Sequence, residues 1–188
     1  KAAYAGARTR SIPMADGGDG FVEALHYAGA GEPQTAMVSD PLGRPIPARW
    51  LRAGQTAAIE MALASGLARL RGPAEYDPMR ATTFGLGQLI LAALDAGCVE
   101  LAIGLGGSAT VEAGCGMAEA LGFRLTNERG QVIPRGGAGL NQLARIDAAT
   151  ADPRLNRTST LGLTDVRNPL LGSEGAARVF GPQKGADP

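Results

Sequence analysis

Four stretches of the chain carry side chains whose types and spacing could do chemistry. Leu101-Ala-Ile-Gly-Leu-Gly-Gly-Ser-Ala-Thr110 reads as a strand, a glycine loop and the start of a helix. Glycines let backbone N–H groups come close to an anion, and a helix N-terminus adds partial positive charge. Gly106 and Gly107 would form the cradle, and Ser108 and Thr110 would cap the helix or bind a phosphate oxygen. Asp16-Gly-Gly-Asp-Gly20 sets Asp16 and Asp19 on one flexible loop, where they either hold Mg²⁺, accept a proton or make an ordinary turn. An EF-hand reading fails, because the position that needs an acidic ligand is Tyr27. Asp165 falls at the carboxyl end of the strand expected at Thr160–Val166, with Arg167 and Asn168 following in a loop. Ligands of open α/β sheets sit at such strand ends, although an Asx turn before Pro169 is the plainer reading. Phe180-Gly-Pro-Gln-Lys-Gly185 offers one charge, Lys184, among turn residues, either a phosphate contact or a solvated lysine.

The elements that must position these residues follow from patterning. Residues 21–29 read as a short helix after the Asp16–Gly20 loop. Residues 34–39 and 46–51 read as a hairpin about Asp40-Pro-Leu-Gly43, and Thr56–Glu60 as a third strand. Leu63, Leu67 and Leu70 have helical spacing across 62–70. Thr82-Thr83 would cap a helix at about 84–96, with Leu89, Ile90, Ala93 and Leu94 as its apolar stripe and Gly97 just past its end. Leu101–Leu105 and Thr160–Val166 are short apolar runs of the kind found in buried strands. A helix is expected at about 110–121, strand pairing of 123–126 with 132–133, weak helix at 140–150 and a short helix at 173–179. Helices alternating with apolar strands make the fold α/β, interrupted by the hairpin region at 34–60.

Composition narrows the function. The 188 residues are 45% hydrophobic and 19% charged, which excludes a disordered chain, and no apolar run is long enough for a bilayer span. Lysine plus arginine balance aspartate plus glutamate at 18 each, and aromatics are 4%, so neither a polyanion-attracting field nor a base-stacking platform is present. Lysine occurs only at Lys1 and Lys184. Cys98, Cys115 and the one histidine, His26, fall short of a four-ligand zinc site and read as buried free thiols in a reducing cytoplasm. No Walker A sequence occurs. Gly104-x-Gly106-x-x-Ala109 also fits a dinucleotide fingerprint with Glu128 downstream, which would imply an oxidoreductase. The opening Lys1-Ala-Ala-Tyr-Ala-Gly-Ala reads like the tail of a helix, and the chain is expected to be cut at both ends.

Seven stretches in order carry a resemblance: Pro13-Met-Ala-Asp-Gly-Gly-Asp-Gly20, Asp40-Pro-Leu-Gly43, Ile59-Glu-Met-Ala62 with Ser65-Gly-Leu67, Thr82-Thr-Phe-Gly85, Gly104-Leu-Gly-Gly-Ser-Ala-Thr110, Asp165-Val-Arg-Asn-Pro-Leu170 and Val179-Phe-Gly-Pro-Gln-Lys-Gly-Ala186. Together they resemble the bacterial glycerate kinase type 1 family, over its first half. The resemblance implies a two-domain α/β architecture only partly present here. Residues 1–35 would belong to a Rossmann-like domain completed by chain outside this segment, and 36–188 to a second α/β domain that includes the hairpin. It implies ATP-dependent phosphorylation of D-glycerate at the 2-hydroxyl, with ATP and Mg²⁺, in the cytoplasm. It implies no nucleic-acid or membrane partner, and is compatible with a homodimer. Asp16, Asp165 and Lys184 would be catalytic; Gly106, Gly107, Ser108, Thr110 and Asn168 would bind substrate or phosphate; Asp19 and Asp165 would hold metal. Where the family continues Asn-Asp after Gly-Gly-Ser-Ala-Thr, this chain has Val111-Glu112, and Thr164 stands where the family has cysteine. An inactive remnant is therefore a competing expectation, and the segment alone is expected to show little turnover.

Overall fold

The computed structural model describes residues 8–187, so the helix tail expected before residue 8 lies outside the described residues. Its centre is a mixed sheet built from strands β1 (Glu32–Ser39), β2 (Pro45–Ala53), β3 (Thr56–Glu60), β4 (Glu100–Gly104) and β7 (Ser159–Leu163), in that spatial order. β5 (Arg124–Thr126) and β6 (Arg145–Asp147) form a separate antiparallel pair. The α/β class holds.

The antiparallel half arises from tight turns. Asp40 is 1% exposed and its carboxylate accepts the N–H groups of Leu42 and Arg44, both at 2.9 Å, which closes the β1–β2 turn with Val38 opposite Ile46. Gly54 at φ +62° turns β2 into β3. From β3 onward the pairings are parallel, β3 with β4 and β4 with β7. The connection from β3 to β4 runs through α2 (Ala62–Ser65) and α3 (Phe84–Asp95), and that from β4 to β7 through α4 (Cys115–Ala120), β5, α5 (Gly137–Leu140) and β6.

Both sheet faces are covered near the centre. Alternation along β2 and β3 sends Trp50, Ala57 and Ile59 to one face, where α3 buries Leu86, Leu89, Ile90, Ala93 and Leu94 against them and against Leu101 and Ile103. Leu51 and Ala58 point to the other face and meet Phe21, Val22 and Leu25 of α1 (Phe21–Tyr27). Burial of each such side chain stabilises by roughly 1.5–3 kcal/mol, so this two-sided core dominates the energetics. Position 35, where a domain boundary was expected, falls within β1.

Several local expectations need correction. The helix expected at 62–70 stops at Ser65, because Gly66 is extended and Leu67–Arg69 is a single 3₁₀ turn. The helix expected from about 110 begins at Cys115, after two left-handed residues, Ala113 at φ +54° and Gly114 at φ +76°. Residues 145–147 are strand rather than helix, because β6 supplies the partner of β5; Val132 makes only an isolated bridge to Thr126. The apolar run at 160–166 is an exposed edge, with Leu161 60% accessible, because no strand lies beyond β7 among the described residues.

Candidate functional site

The three parallel strands end in register, Glu60 beside Gly104 and Gly104 beside Leu163. The Asp16–Gly20 loop lies against these strand ends, where β4 runs into the glycine loop and β7 into the Asp165 stretch. Glu60 fastens the Asp16–Gly20 loop. Its carboxylate, 3% exposed, accepts the N–H groups of Gly20 at 3.1 Å and Val22 at 3.0 Å. It therefore occupies the N-terminus of α1 as a buried cap and draws the Asp16–Gly20 loop onto the sheet. Sequence reasoning did not assign Glu60 a role; the available signal was a carboxylate ending an otherwise apolar strand.

The glycine loop is laced on two sides. The Gly106 N–H donates to the Gly17 carbonyl at 3.0 Å, and the Leu105 N–H to the Leu163 carbonyl at 3.0 Å. On the opposite flank, Leu67 N–H donates to the Gly107 carbonyl at 3.0 Å, and Ala109 N–H to the Ser65 carbonyl at 2.9 Å. The N–H groups of Gly107 and Ser108 take no partner among the described residues, which leaves two donors at the bend for an oxyanion. Gly107 has φ +70°, and a Cβ there would lie 2.9 and 3.1 Å from the two carboxylate oxygens of Asp19 and 3.0 Å from Ala62 Cβ. Asp19 therefore sits directly over the bend.

The loop does not open directly into a helix, because α4 begins only at Cys115. Thr110 and Ser108 do not cap α4; Glu112 does. Its buried carboxylate accepts Gly116 N–H at 2.9 Å, Thr83 N–H at 3.1 Å and the hydroxyls of Thr82 and Thr83. It joins the start of α4 to the start of α3, a structural charge with every direction satisfied. The dinucleotide reading fails on the same ground: the loop does not open into a helix, and Glu128 lies in the exposed β5–β6 region rather than at the strand ends.

Lys184 supports the loop from beneath. The residue is 7% exposed, and its ammonium donates to Ser108 Oγ at 2.8 Å and to the Thr110 carbonyl at 2.7 Å. Burial lowers its pKa from 10.5 to about 8. No carboxylate pairs with it among the described residues, so its charge is available to an anion at the bend. The next residue, Gly185, has φ +94°, and a Cβ there would lie 2.5 Å from the Tyr76 carbonyl. Tyr76 follows Glu75, which binds Arg44 through two hydrogen bonds at 2.8 and 2.9 Å, and Arg44 in turn binds Asp40. The hairpin turn thus buttresses the lysine.

Of the remaining candidates, Asp16 and Asp165 are exposed and Asn168 is half-buried. Asp16 accepts the Gly18 N–H at 3.0 Å. Asp165 lies just past β7, and Asn168 donates its side-chain amide to the Glu174 carbonyl at 2.9 Å, closing the 168–174 loop. No three Asp, Glu, His or Cys side chains converge into a metal cage among the described residues. Mg²⁺ commonly uses one or two carboxylates together with substrate phosphates, and exposed Asp19 above two free N–H groups fits that mode.

Parallel strands ending in register, with loops gathered at those ends, define an open-sheet α/β protein. Comparison with known proteins resolves the class further. A family model described as the glycerate kinase family matches residues 1–188, and the chain belongs to that family. It is 49% identical over 179 residues to a glycerate 2-kinase of Escherichia coli K12, covering 94% of this chain and 46% of that relative. It is 48% identical over 188 residues to a glycerate kinase of Bacillus subtilis 168, covering 99% and 49%. The fold superposes with a TM-score of 0.88 on a crystal structure assigned as glycerate kinase 2 of Salmonella typhimurium LT2, at 49% identity, covering 94% of this chain and 48% of that one. The chain spans about half the length of these relatives. No helix among the described residues is long and apolar enough to cross a membrane.

Proposed function

We propose that this chain forms part of an enzyme that moves the terminal phosphoryl group of ATP onto the 2-hydroxyl of D-glycerate, in the cytoplasm. The observation that carries the reading is the Lys184 ammonium buried beneath a glycine loop whose Gly107 and Ser108 N–H groups are free. Phosphoryl transfer asks the protein chiefly for positioning and charge neutralisation, and these groups supply both. Gly106, Gly107, Ser108 and Thr110 form the cradle, and Lys184 offsets charge that accumulates on the transferred group.

Asp19 over the bend would repel a bare polyphosphate. Asp19 with Asp165 would hold Mg²⁺, which would supply positive charge against the phosphates. Asp16 or Asp165 orients the glycerate hydroxyl and takes its proton as the oxygen attacks. Asn168 shapes the loop that carries Asp165. The phosphate-or-carboxylate identity of the anion at the bend is resolved by separate titrations with MgATP and D-glycerate.

The two-unit division is part of the same reading, with the packing of α1 on Leu51 as the contact across it. A homodimer is also part of it, tested by sedimentation of the purified protein. The activity is tested by following D-glycerate-dependent conversion of ATP to ADP together with the position of the phosphate on the product. Formation of 2-phosphoglycerate supports the proposal. Nucleotide turnover independent of D-glycerate overturns the substrate assignment.

A further inference from the structure

We propose that Arg69 is an additional oxyanion contact of this site, taking a phosphate of the nucleotide or the carboxylate of the organic-acid substrate; the assignment rests on the reading under Proposed function. Three arginines among the described residues are not exposed: Arg44, Arg69 and Arg154. Arg44 binds Asp40 and Glu75, and Arg154 binds Asp152 and Asp95. Arg69 forms no ion pair among the described residues; its one side-chain hydrogen bond runs from Nε to the Ala62 carbonyl at 3.4 Å. A half-buried cation without a counter-charge is unfavourable, and an anionic ligand relieves that cost.

The position of Arg69 gives the ligand its identity. Arg69 closes the 3₁₀ turn Leu67–Arg69, and that turn is stitched to the glycine loop through Leu67 N–H to Gly107 carbonyl at 3.0 Å and the bridge between Gly66 and Ser108. Ala62, whose carbonyl anchors Nε, is the same residue whose Cβ would lie 3.0 Å from a Cβ on Gly107. The segment that carries Arg69 is therefore fastened to the bend whose N–H groups are free. Its two Nη groups keep no partner among the described residues, and a guanidinium fork matches two oxygens of one oxyanion. Asp19, on the other side of the bend, does not pair with it, so the cation stays open to a ligand.

The test uses the protein as its source produces it, with Arg69→Gln, Arg69→Lys and, as a reference, Lys184→Met. MgATP and D-glycerate are titrated separately by calorimetry. Arg69→Gln is expected to weaken one of the two ligands at least about tenfold and leave the other within about twofold, while Arg69→Lys recovers only part because the fork is lost. Loss confined to MgATP assigns a phosphate, and loss confined to D-glycerate assigns the carboxylate. In turnover the same variant raises the KM of that substrate while kcat is retained, a split that a general loss of folding does not produce. Unchanged affinity for both ligands in Arg69→Gln, with weakened binding in Lys184→Met, overturns the role of Arg69 and leaves the functional reading standing. Failure of the unaltered protein to bind either ligand overturns both.

Discussion

Glu60 and Val22 are joined across the sheet edge by a hydrogen bond of 3.0 Å between a buried carboxylate and the second N–H of α1. The same carboxylate takes the Gly20 N–H, so a single charge positions the loop bearing Asp16 and Asp19 relative to β4 and its glycine loop. Replacing Glu60 with Gln leaves only one strong acceptor and opposes an amide NH₂ to a backbone N–H. The expected cost is about 1–3 kcal/mol, the usual penalty for a buried donor left unpaired. Urea denaturation measures that loss, and faster amide exchange confined at first to Gly20 and Val22 locates it. Unchanged exchange at those two amides would show that the loop is held by something else.

Glu112 makes a contrasting prediction. Its partners are Thr82, Thr83 and Gly116, at the starts of two helices. Glu112→Ala leaves those N–H groups without their buried acceptor and is expected to lower stability by about 3 kcal/mol or more. Ligand affinity, measured below the new melting temperature, should change little. A loss of affinity without a loss of stability would place Glu112 in the ligand site.

Gly107→Val should abolish oxyanion binding while the rest of the fold persists. The residue sits at φ +70°, and the new side chain would displace the Asp19 carboxylate and press on Ala62. Calorimetric titration with MgATP measures the effect, with circular dichroism as the control for folding. Unchanged affinity in a folded variant would reduce the loop to a turn.

Lys184 sets a pH dependence with two opposite signs. Its folded pKa, about 8, lies below the 10.5 of an unfolded lysine. Between those values the unfolded chain binds the proton and the folded chain does not, so this residue makes stability rise with pH across that window. Anion affinity runs the other way and falls as pH passes about 8, because the ammonium is lost. Melting temperatures and MgATP affinity measured across pH 7 to 10 test both signs, and Lys184→Arg, which stays charged, should flatten both curves in this window. Affinity independent of pH in the unaltered protein would remove Lys184 from the site.

What the sequence made legible, and what it did not, divides along local and non-local lines. The hairpin, β3, α3 and β4 follow from alternation, turn residues and the Leu89–Leu94 stripe, because each is specified by its own neighbours. The seven motifs named the candidate side chains, and Lys184 stood out because it is the lysine remote from the chain start. The helix after the glycine loop was placed early because nothing local announces that Ala113 and Gly114 turn left-handed before Cys115. Glu60, Arg69 and the Ser65 carbonyl received no role from sequence because their contacts arise from segments brought alongside the loop by tertiary packing. The 140–150 stretch misled because strand β6 exists only through its pairing with β5.

The most direct test of the central claim is the specificity constant for D-glycerate in an ADP-coupled assay at saturating MgATP, comparing Lys184→Met with the unaltered protein as its source produces it. The account predicts D-glycerate-dependent turnover in the unaltered protein and a loss of about 100-fold or more in kcat/KM for the variant, the scale seen when a preorganised charge is removed from a transition state. Its melting temperature should change little, since removing a buried ammonium without a counter-charge offsets the loss of its hydrogen bonds to Ser108 and Thr110. Equal kcat/KM for the two proteins would contradict the account and separate the glycine loop and its lysine from phosphoryl transfer.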